Sequence, residues 1–396
     1  MTPYQQNQKR IGQGCLTNSK HENSFVKGVY PKTVKGGRCS TLIDSNGKEY
    51  IDFICGLGTN LFGYGNHFIN SAIMNGIQSG ISHSLPTHFE GIAAERLCEL
   101  FPWVDKFKFL CTGSDACMAS VRMARSYTKR LKVLVEGYHG IADMFVSLTP
   151  PAEGIAPHPD IRLLRDLNDI GKDIAAVIVE PVITDCSEER IKWLKDLREK
   201  CTENGVVLIF DEVITGFRYK NFSVARNYGV FPDLMCLGKA IGSGIPISAV
   251  AGRKDLLDGN YFISSTNAGS VAGLSAAIAA VDLLTGSSDY NINRLWESGQ
   301  VFMNRFNKIT PEIQIEGYPT RGAFKGDLLK RSLLFQECCK SGVLFGPSWF
   351  FNFSHVNDTD TVIDICSSSW ARIERGEIEL EGELPQSPYA ERVRNG

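Results

Sequence analysis

A lysine and an aspartate each follow an apolar segment that predicts a buried strand. Lys239 comes directly after the run at residues 231–238, and the turn residues Gly242 and Gly244 follow it. Asp211 closes the apolar run at residues 206–210. A desolvated lysine loses its charge more easily and becomes a nucleophilic amine. The two positions predict an amine and a carboxylate at the ends of two strands of one sheet.

This pair matches what pyridoxal 5'-phosphate (PLP) requires of a protein. The amine forms a Schiff base with the cofactor, and the carboxylate pairs with the pyridinium nitrogen. Taken singly, Asp211 could be a solvated carboxylate at a strand end, and Lys239 could be a surface lysine beside a glycine loop. Their joint placement after two buried strands favours the catalytic interpretation.

A second candidate site lies where a predicted helix begins. Residues 112–116 follow the apolar strand at residues 107–110 and open a helix with a periodic apolar face. Free N–H groups and the helix dipole at such a start suit a phosphate dianion. Gly113 permits close approach of the backbone, and Ser114 adds a hydroxyl donor. The alternative is a simple N-cap for the helix, and the two interpretations are compatible.

Tyr138 and His139 follow the apolar run at residues 133–135. An aromatic side chain at a strand end could stack on a planar ring. By itself, however, such a residue is more often part of a surface turn or of the core. A lone histidine is likewise more often structural than catalytic.

Composition narrows the classes of function. The chain has 396 residues, of which 43% are hydrophobic and 22% charged, and its formal net charge is −2. These values predict a globular protein and give no electrostatic reason to expect binding to nucleic acid or to a membrane. The 12 cysteines show no spacing typical of zinc, so no metal site is predicted. The N-terminus lacks a secretory pattern, which favours the cytosol with reduced thiols.

The order of predicted elements favours an α/β fold. Residues 42–53 predict a β-hairpin around the turn at Asn46 and Gly47. Helical patterns then alternate with apolar strands, which favours a mainly parallel sheet covered on both faces. Helices are predicted at residues 90–100, 115–131 and 272–284, and strands at 106–110, 132–135, 174–179, 206–210 and 234–237.

These segments resemble the class III aminotransferases of PLP fold type I, in particular the glutamate-1-semialdehyde aminomutase branch. Residues 208–218 carry the strongest likeness, together with residues 232–234 and 237–242. Residues 44–52 look like the family's N-terminal hairpin, and residues 137–140 are similar to its Tyr-His-Gly segment. The resemblance covers most of the chain.

The resemblance implies that the chain divides into three parts. Residues 1–50 would form an arm and a hairpin that belong to a small domain. Residues 51–286 would form the large PLP-binding domain, with a mainly parallel sheet of the seven-stranded type. Residues 287–396 would complete the smaller α+β domain.

The resemblance also implies roles for matching residues. Lys239 would be the lysine of the internal aldimine, and Asp211 would keep the ring nitrogen protonated. Val213 would pack on one face of the ring and Tyr138 on the other, with His139 also among the cofactor-binding residues. The expected phosphate contacts are Gly113, Ser114 and, from the neighbouring subunit, Thr266. A homodimer with shared active sites is therefore expected.

Three functions fit these residues. The first is an aminotransferase acting on an amine or amino acid and a carbonyl compound. The second is intramolecular amino transfer of the glutamate-1-semialdehyde type, which would need no external amino donor. The third is a PLP-fold protein that binds without catalysis, against which the retention of both Lys239 and Asp211 argues.

Arg321 is a candidate for binding a substrate carboxylate, because a guanidinium can grip a carboxylate through two hydrogen bonds. The alternative for Arg321 is a surface arginine.

Overall fold

The computed structural model describes residues 1–148 and 154–386. The chain forms two compact units. The larger unit is His67–Ile292, and the smaller combines Met1–Asn66 with the described residues from Asn293 onward. The units therefore divide after Asn66 and Ile292, whereas the sequence placed the boundaries after residues 50 and 286. Among the described residues, no helix has both the length and the apolar character to cross a membrane.

The described residues contain strands in both units. In chain order they are β1 (Val34–Arg38), β2 (Thr41–Asp44), β3 (Glu49–Asp52), β4 (Lys106–Leu110), β5 (Lys132–Glu136), β6 (Ile161–Leu163), β7 (Ile174–Val179), β8 (Val207–Asp211), β9 (Leu234–Leu237), β10 (Ser248–Gly252), β11 (Ile313–Tyr318), β12 (Arg321–Gly326), β13 (Val343–Leu344) and β14 (Ser348–Phe350).

The α-helices range from single turns to seventeen residues. They are α1 (Pro3–Arg10), α2 (Cys55–Gly58), α3 (His67–Gly76), α4 (His88–Leu100), α5 (Gly113–Thr128), α6 (Asp143–Val146), α7 (Glu188–Asn204), α8 (Val224–Tyr228), α9 (Lys254–Leu257), α10 (Val271–Gly286), α11 (Ile292–Phe306), α12 (Leu328–Lys340) and α13 (Thr359–Glu374). Short 3-10 helices lie at Gly12–Gly14, Asn18–Lys20, Glu22–Ser24, Ile77–Ser79, Leu167–Asp169, Lys220–Phe222, Lys239–Gly242, Ser288–Tyr290 and Phe353–Asn357.

The larger unit is built on a seven-stranded sheet with the order β4-β10-β9-β8-β7-β5-β6. Strands β9, β8, β7, β5 and β6 are mutually parallel. Strand β10 is antiparallel to both β9 and β4, so β4 runs in the same direction as the parallel strands. The mainly parallel seven-stranded sheet expected from the sequence is thereby confirmed, with β10 as its one reversed strand among the described residues.

Burial explains why these segments form strands. Every residue of β7, β8, β9 and β10 is buried, and helix α5 packs across these four strands. Strands covered on both faces are apolar throughout, as these sequences are. The edge strand β4 instead exposes Lys106 and Lys108 in alternation with less exposed residues. Lysines on an edge strand discourage pairing with another chain.

The smaller unit has two sheets. One joins β1, β2, β3 and β13, with antiparallel pairing of β2 and β3 that confirms the predicted hairpin. The other joins β11, β12 and β14 in antiparallel fashion. The N-terminal arm contains a helix at Pro3–Arg10. Thr2 begins this helix with a capping box, in which Thr2 and Gln5 satisfy each other's backbone N–H groups.

Candidate active site

The carboxyl ends of several strands meet at one edge of the large sheet. Asp211 is the last residue of β8, and it lies opposite Cys236 of the parallel neighbour β9. Lys239 follows two residues after β9 ends. In open α/β sheets, ligands bind at this carboxyl edge. The sheet thus brings Lys239 and Asp211 to the same edge on adjacent strands, as the sequence predicted.

Asp211 is buried and accepts three hydrogen bonds. Its Oδ1 accepts the backbone N–H of Val213 (3.1 Å). Its Oδ2 accepts from Nδ1 of His139 (2.8 Å) and from Sγ of Cys117 (3.3 Å). Because a carboxylate can only accept, Nδ1 of His139 carries the hydrogen of that bond. Nε2 of the same ring is buried and has no hydrogen-bond partner among the described residues.

Val213 lies between two glycines from separate segments. A Cβ atom on Gly113 would stand 2.9 Å from a methyl carbon of Val213, and a Cβ on Gly238 would stand 3.1 Å from the same carbon. The Gly238 position is also close to the Cα of Gly113. Three segments therefore converge within van der Waals distance: the start of α5, the residues after β8, and the residues after β9. A side chain at residue 113 would therefore displace Val213, which favours glycine at this position.

The start of α5 serves as a capped helix N-terminus. Thr112 accepts the N–H of Asp115, and Asp115 accepts the N–H of Thr112, so the N-cap interpretation is confirmed. The hydroxyl of Ser114 accepts the N–H of Ile141 (3.1 Å). Because Ser114 Oγ acts as an acceptor in this bond, its own hydrogen can still be donated. Gly140 packs so closely on Ser114 that a Cβ there would overlap its hydroxyl.

The segment after β5 is held by a carboxylate. Tyr138 donates its backbone N–H to Oε1 of Glu180 (2.8 Å), the residue that follows β7. Its side chain is 37% exposed, so Tyr138 lies neither in the core nor in a fully solvated turn. His139, by contrast, is buried with its ring against Phe145. The two neighbours thus face different environments, with only His139 directed into the protein.

Lys239 adopts a constrained backbone rather than lying in an open turn. It begins the 3-10 helix Lys239–Gly242 and has φ of +46°, in the left-handed region that residues with a side chain rarely occupy. Its side chain is half-buried, and the next three residues are buried. Helix α10 packs against this 3-10 helix. The surrounding structure therefore holds Lys239 in place despite the cost of its backbone conformation.

Two further predicted residues, Thr266 and Arg321, belong to other segments of the chain. Thr266 lies in an exposed turn before α10. Its neighbour Ser265 approaches Cys111, one residue before the N-cap of α5, with Oγ 3.7 Å from Sγ. Arg321 belongs to the smaller unit, where it begins β12 opposite Phe350. Arg321 is only 5% exposed, so the surface arginine considered as its alternative is wrong.

The sequence did not single out Cys117 and Glu180. Glu180 directly follows a buried strand, which is the same signal that identified Asp211. Cys117 faces the sheet from the second turn of α5, where a cysteine looks like any small core residue. Cys117, His139 and Asp211 also offer metal-binding atoms within 4.8 Å of one another. This grouping could not be seen in the sequence, because its members lie on three separate segments.

Burial also affects the carboxyl next to Asp211. Desolvation raises the pKa of Glu212 to about 7, although backbone N–H groups and a hydroxyl oppose this shift. Glu212 accepts from the N–H groups of Val224 and Ala225 and from the hydroxyl of Thr215. These bonds join the loop after β8 to the start of α8. Glu212 thus supports the backbone of the site, whereas Asp211 faces its interior.

Comparison with known proteins agrees with this geometry. The model of the family "Aminotransferase class-III" matches residues 26–158 and 156–348. The chain is 33% identical over 330 residues to glutamate-1-semialdehyde 2,1-aminomutase 1 of Lachnoclostridium phytofermentans, which covers 76% of each chain. It is 35% identical over 383 residues to the glutamate-1-semialdehyde 2,1-aminomutase of Desulfotalea psychrophila, covering 84% of this chain and 88% of that protein.

Solved structures share the fold. The FumI protein of Sphingopyxis sp. MTA144, described in its PLP internal aldimine form, superposes with a TM-score of 0.86 at 22% identity. The match covers 98% of both chains. This likeness confirms the fold that the sequence predicted.

Proposed function

Because the chain belongs to the class-III aminotransferase family, we propose that it moves an amino group between an amino donor and a carbonyl acceptor. It is an enzyme of the transaminase or aminomutase type, and its cofactor is PLP. The observation that carries the proposal is the placement of Asp211 and Lys239 at the carboxyl ends of adjacent parallel strands.

The described residues fit this cofactor in three respects. Asp211 offers a buried carboxylate for a ring nitrogen. The start of α5, with Gly113 and the hydroxyl of Ser114, offers donors for a phosphate. Val213 and the ring of Tyr138 offer apolar surface for a planar ring. When bound, PLP supplies an electron sink for the substrate carbon that carries the nitrogen.

Each residue then has a distinct task. Lys239 would hold the cofactor through Nζ, and as a free amine the same atom would move a proton between the substrate carbon and the cofactor. Asp211 would keep the ring nitrogen of the cofactor protonated. His139 donates to Asp211 and so fixes the direction of that carboxylate. Arg321 is proposed to bind a substrate carboxylate, supported by its burial at the start of β12.

A second candidate function is amino transfer within one molecule. The curated relatives at 33% and 35% identity are both named glutamate-1-semialdehyde 2,1-aminomutase, which favours this candidate. The two functions differ in one requirement. An aminotransferase needs an external amino donor and a separate acceptor, whereas the aminomutase moves nitrogen between carbons 2 and 1 of the same substrate.

We also propose that the enzyme works as a homodimer, with Thr266 reaching the phosphate held by the neighbouring subunit. Large apolar side chains are exposed on α3, on α4 and between them, as expected for surface covered by a second copy. They are Phe68, Met74, Ile81, Leu85 and Ile92. Sedimentation should therefore show twice the mass of one chain, and Leu85→Asp should reduce it. The proposed location is the cytosol, where thiols stay reduced.

Covalent labelling tests the role of Lys239. Borohydride treatment of the protein loaded with PLP should fix the cofactor mass on the peptide that contains Lys239, as read by mass spectrometry. Lys239→Ala should lower turnover by at least about 1,000-fold, because both the anchoring amine and the proton carrier are removed. The matched control is Lys254→Ala, an exposed lysine of α9, which should keep native turnover. A label on another lysine would contradict the proposal.

A donor test separates the two functions. Glutamate 1-semialdehyde is supplied alone, and then a panel of amines is supplied with a keto acid. Conversion of the first without any added donor, with nitrogen found on carbon 1, would establish the aminomutase. Turnover that depends on the added donor would establish the aminotransferase.

A further inference from the structure

We propose that Cys117 is a positioning residue, whose thiol assigns the two oxygens of Asp211 to different partners and leaves Oδ1 to meet the ring nitrogen of the cofactor. The inference rests on the proposed function and deepens it. Cys117 lies on α5, the helix that also presents Gly113 and Ser114. One helix would therefore contact the phosphate with its first turn and the carboxylate with its second.

The two carboxylate oxygens of Asp211 accept different numbers of hydrogen bonds. Oδ2 accepts from both His139 and Cys117, which occupies both of its lone pairs. Oδ1 accepts only the N–H of Val213 among the described residues. One acceptor position on Oδ1 is therefore left for a further donor. Without the thiol, each oxygen would have one such position, and the ring nitrogen could bind either.

The thiol of Cys117 can donate its hydrogen to Asp211 because the neighbouring thiol of Cys236 donates elsewhere. Cys236 of β9 donates its own thiol hydrogen to Ser120 (3.4 Å), so that hydrogen points away from Cys117. Ser120 donates in turn to the backbone carbonyl of Cys117 (2.8 Å). The contact with Cys236, burial and the charge of Asp211 all raise the pKa of Cys117 well above its ordinary value. The thiol therefore stays protonated and keeps its hydrogen for Asp211.

The expected effect is graded, because S–H is a weak donor. The thiol stabilises Asp211 as an anion, which favours a proton on the ring nitrogen rather than on the carboxylate. Losing this donor should weaken cofactor binding about fivefold, less than the loss of a full hydrogen bond to a charged group. It should also move the shared proton toward Asp211.

The matched pair Cys117→Val and Cys117→Thr tests this role. The two side chains have nearly the same shape, but only threonine has a hydroxyl to donate to Asp211. The measurements are the dissociation constant of PLP from the refolded or dialysed apo-protein and the ¹⁵N chemical shift of PLP labelled at the ring nitrogen. Cys117→Val should raise the dissociation constant about fivefold and shift the nitrogen signal toward neutral pyridine. Cys117→Thr should restore both values to within about twofold.

Two control variants distinguish the role of the Cys117 thiol from a general effect of replacing a buried cysteine. Cys201→Val changes a buried cysteine on α7 and should leave both readouts unchanged, provided that the variant folds. If Cys117→Val fails to fold, Cys117→Ala serves as the variant without a donor. Equal behaviour of the valine and threonine variants, or an unchanged nitrogen shift in the variants without a donor, would overturn the role of Cys117. Failure of the native protein to bind PLP would instead overturn the proposed function itself, and this inference with it.

Discussion

Two buried aspartates, one in each unit, share the same local hydrogen bond at the end of a strand. Asp52 is the last residue of β3, and Asp211 is the last residue of β8. In each case Oδ1 accepts the N–H of the second residue along the chain, which is Ile54 in one unit and Val213 in the other. This Asx-type turn is the ordinary way for an aspartate to end a strand. On local grounds the two residues are indistinguishable.

The hydrogen-bond partners of the second carboxylate oxygen, Oδ2, distinguish Asp52 from Asp211. Oδ2 of Asp52 accepts from the N–H of Cys55 and the hydroxyl of Tyr64, both within twelve residues. Oδ2 of Asp211 accepts from side chains 72 and 94 residues away along the chain. The carboxylate of Asp52 therefore finds all of these hydrogen-bond donors close to it in the chain. The hydrogen bonds to Oδ2 of Asp211 form only after β5, α5 and β8 have come together. We therefore propose a structural role for Asp52 and a functional role for Asp211.

Among the changes that test this comparison, the largest expected effect is the loss of turnover in Asp211→Asn. Asp211→Asn removes the negative charge that holds a proton on the ring nitrogen, so we expect turnover to fall by about 100-fold or more. Asp52→Asn should leave turnover within about threefold once folded protein is compared with folded protein. Steady-state assays on both variants, with the folded fraction checked by circular dichroism, make the comparison. Equal losses of turnover would show that the two aspartates do not differ in the way proposed.

Stability should rank the same two variants in the opposite order. In Asp52→Asn the new amide group would face a buried backbone N–H in either orientation, that of Ile54 or that of Cys55. In Asp211→Asn it could instead face the side chains of His139 and Cys117, which are able to accept. One donor left without an acceptor costs about 1–3 kcal/mol. Urea unfolding of Asp52→Asn should therefore show a lower free energy of unfolding than that of the native protein. A larger loss in Asp211→Asn would reverse the assignment.

The pH dependence of the free energy of unfolding should show the ionisation of two buried carboxyl groups, those of Asp52 and Glu212. Desolvation raises the pKa of Asp52 to about 6 and that of Glu212 to about 7, both above their values in an unfolded chain. The folded state thus holds these protons longer than the unfolded state does. Their contribution is complete below about pH 4 and is lost as pH rises through 6 and 7, by up to a few kcal/mol.

Unfolding midpoints in urea at pH 4.5, 6 and 8 measure this loss. Asp52→Asn and Glu212→Gln should each flatten the decline, because a neutral amide has no proton to release. Native protein whose stability did not fall over this range, or variants with the native slope, would contradict the prediction.

The smallest expected effect concerns Tyr64. Tyr64→Phe removes one donor from Asp52, and its hydrogen bond is among the groups that lower the pKa of Asp52. We expect a loss of about 1–2 kcal/mol in the free energy of unfolding at pH 7 and a smaller loss at pH 4.5, where Asp52 is protonated. Tyr50→Phe is the control, because its hydroxyl lies 3.4 Å from Asp44 in a weak bond. An equal loss in the control would mean that the loss in Tyr64→Phe does not come from its hydrogen bond to Asp52.

Much of the fold was predictable because buried strands are apolar along their whole length. The strands at residues 106–110, 174–179 and 234–237 were predicted with the bounds that the structure has. In the large sheet, strands β6 and β10 were missed, and in the smaller unit β1 and β11 to β14 were not predicted. Strand β6 has only three residues, and the small residues of β10 (Ser248–Gly252) give little strand signal. Helix α1 was missed because none of its residues is buried, so no apolar face marks it.

The sequence by itself determined which residues end buried strands, and so it placed Lys239, Asp211 and the start of α5 at one edge of a sheet. That inference needs only strand periodicity and the rule that parallel strands end together. Only the tertiary structure decided which atoms meet there. It showed Cys117 and His139 on one oxygen of Asp211 and Val213 between two glycines. Such contacts join residues far apart in the chain, and no local pattern records them.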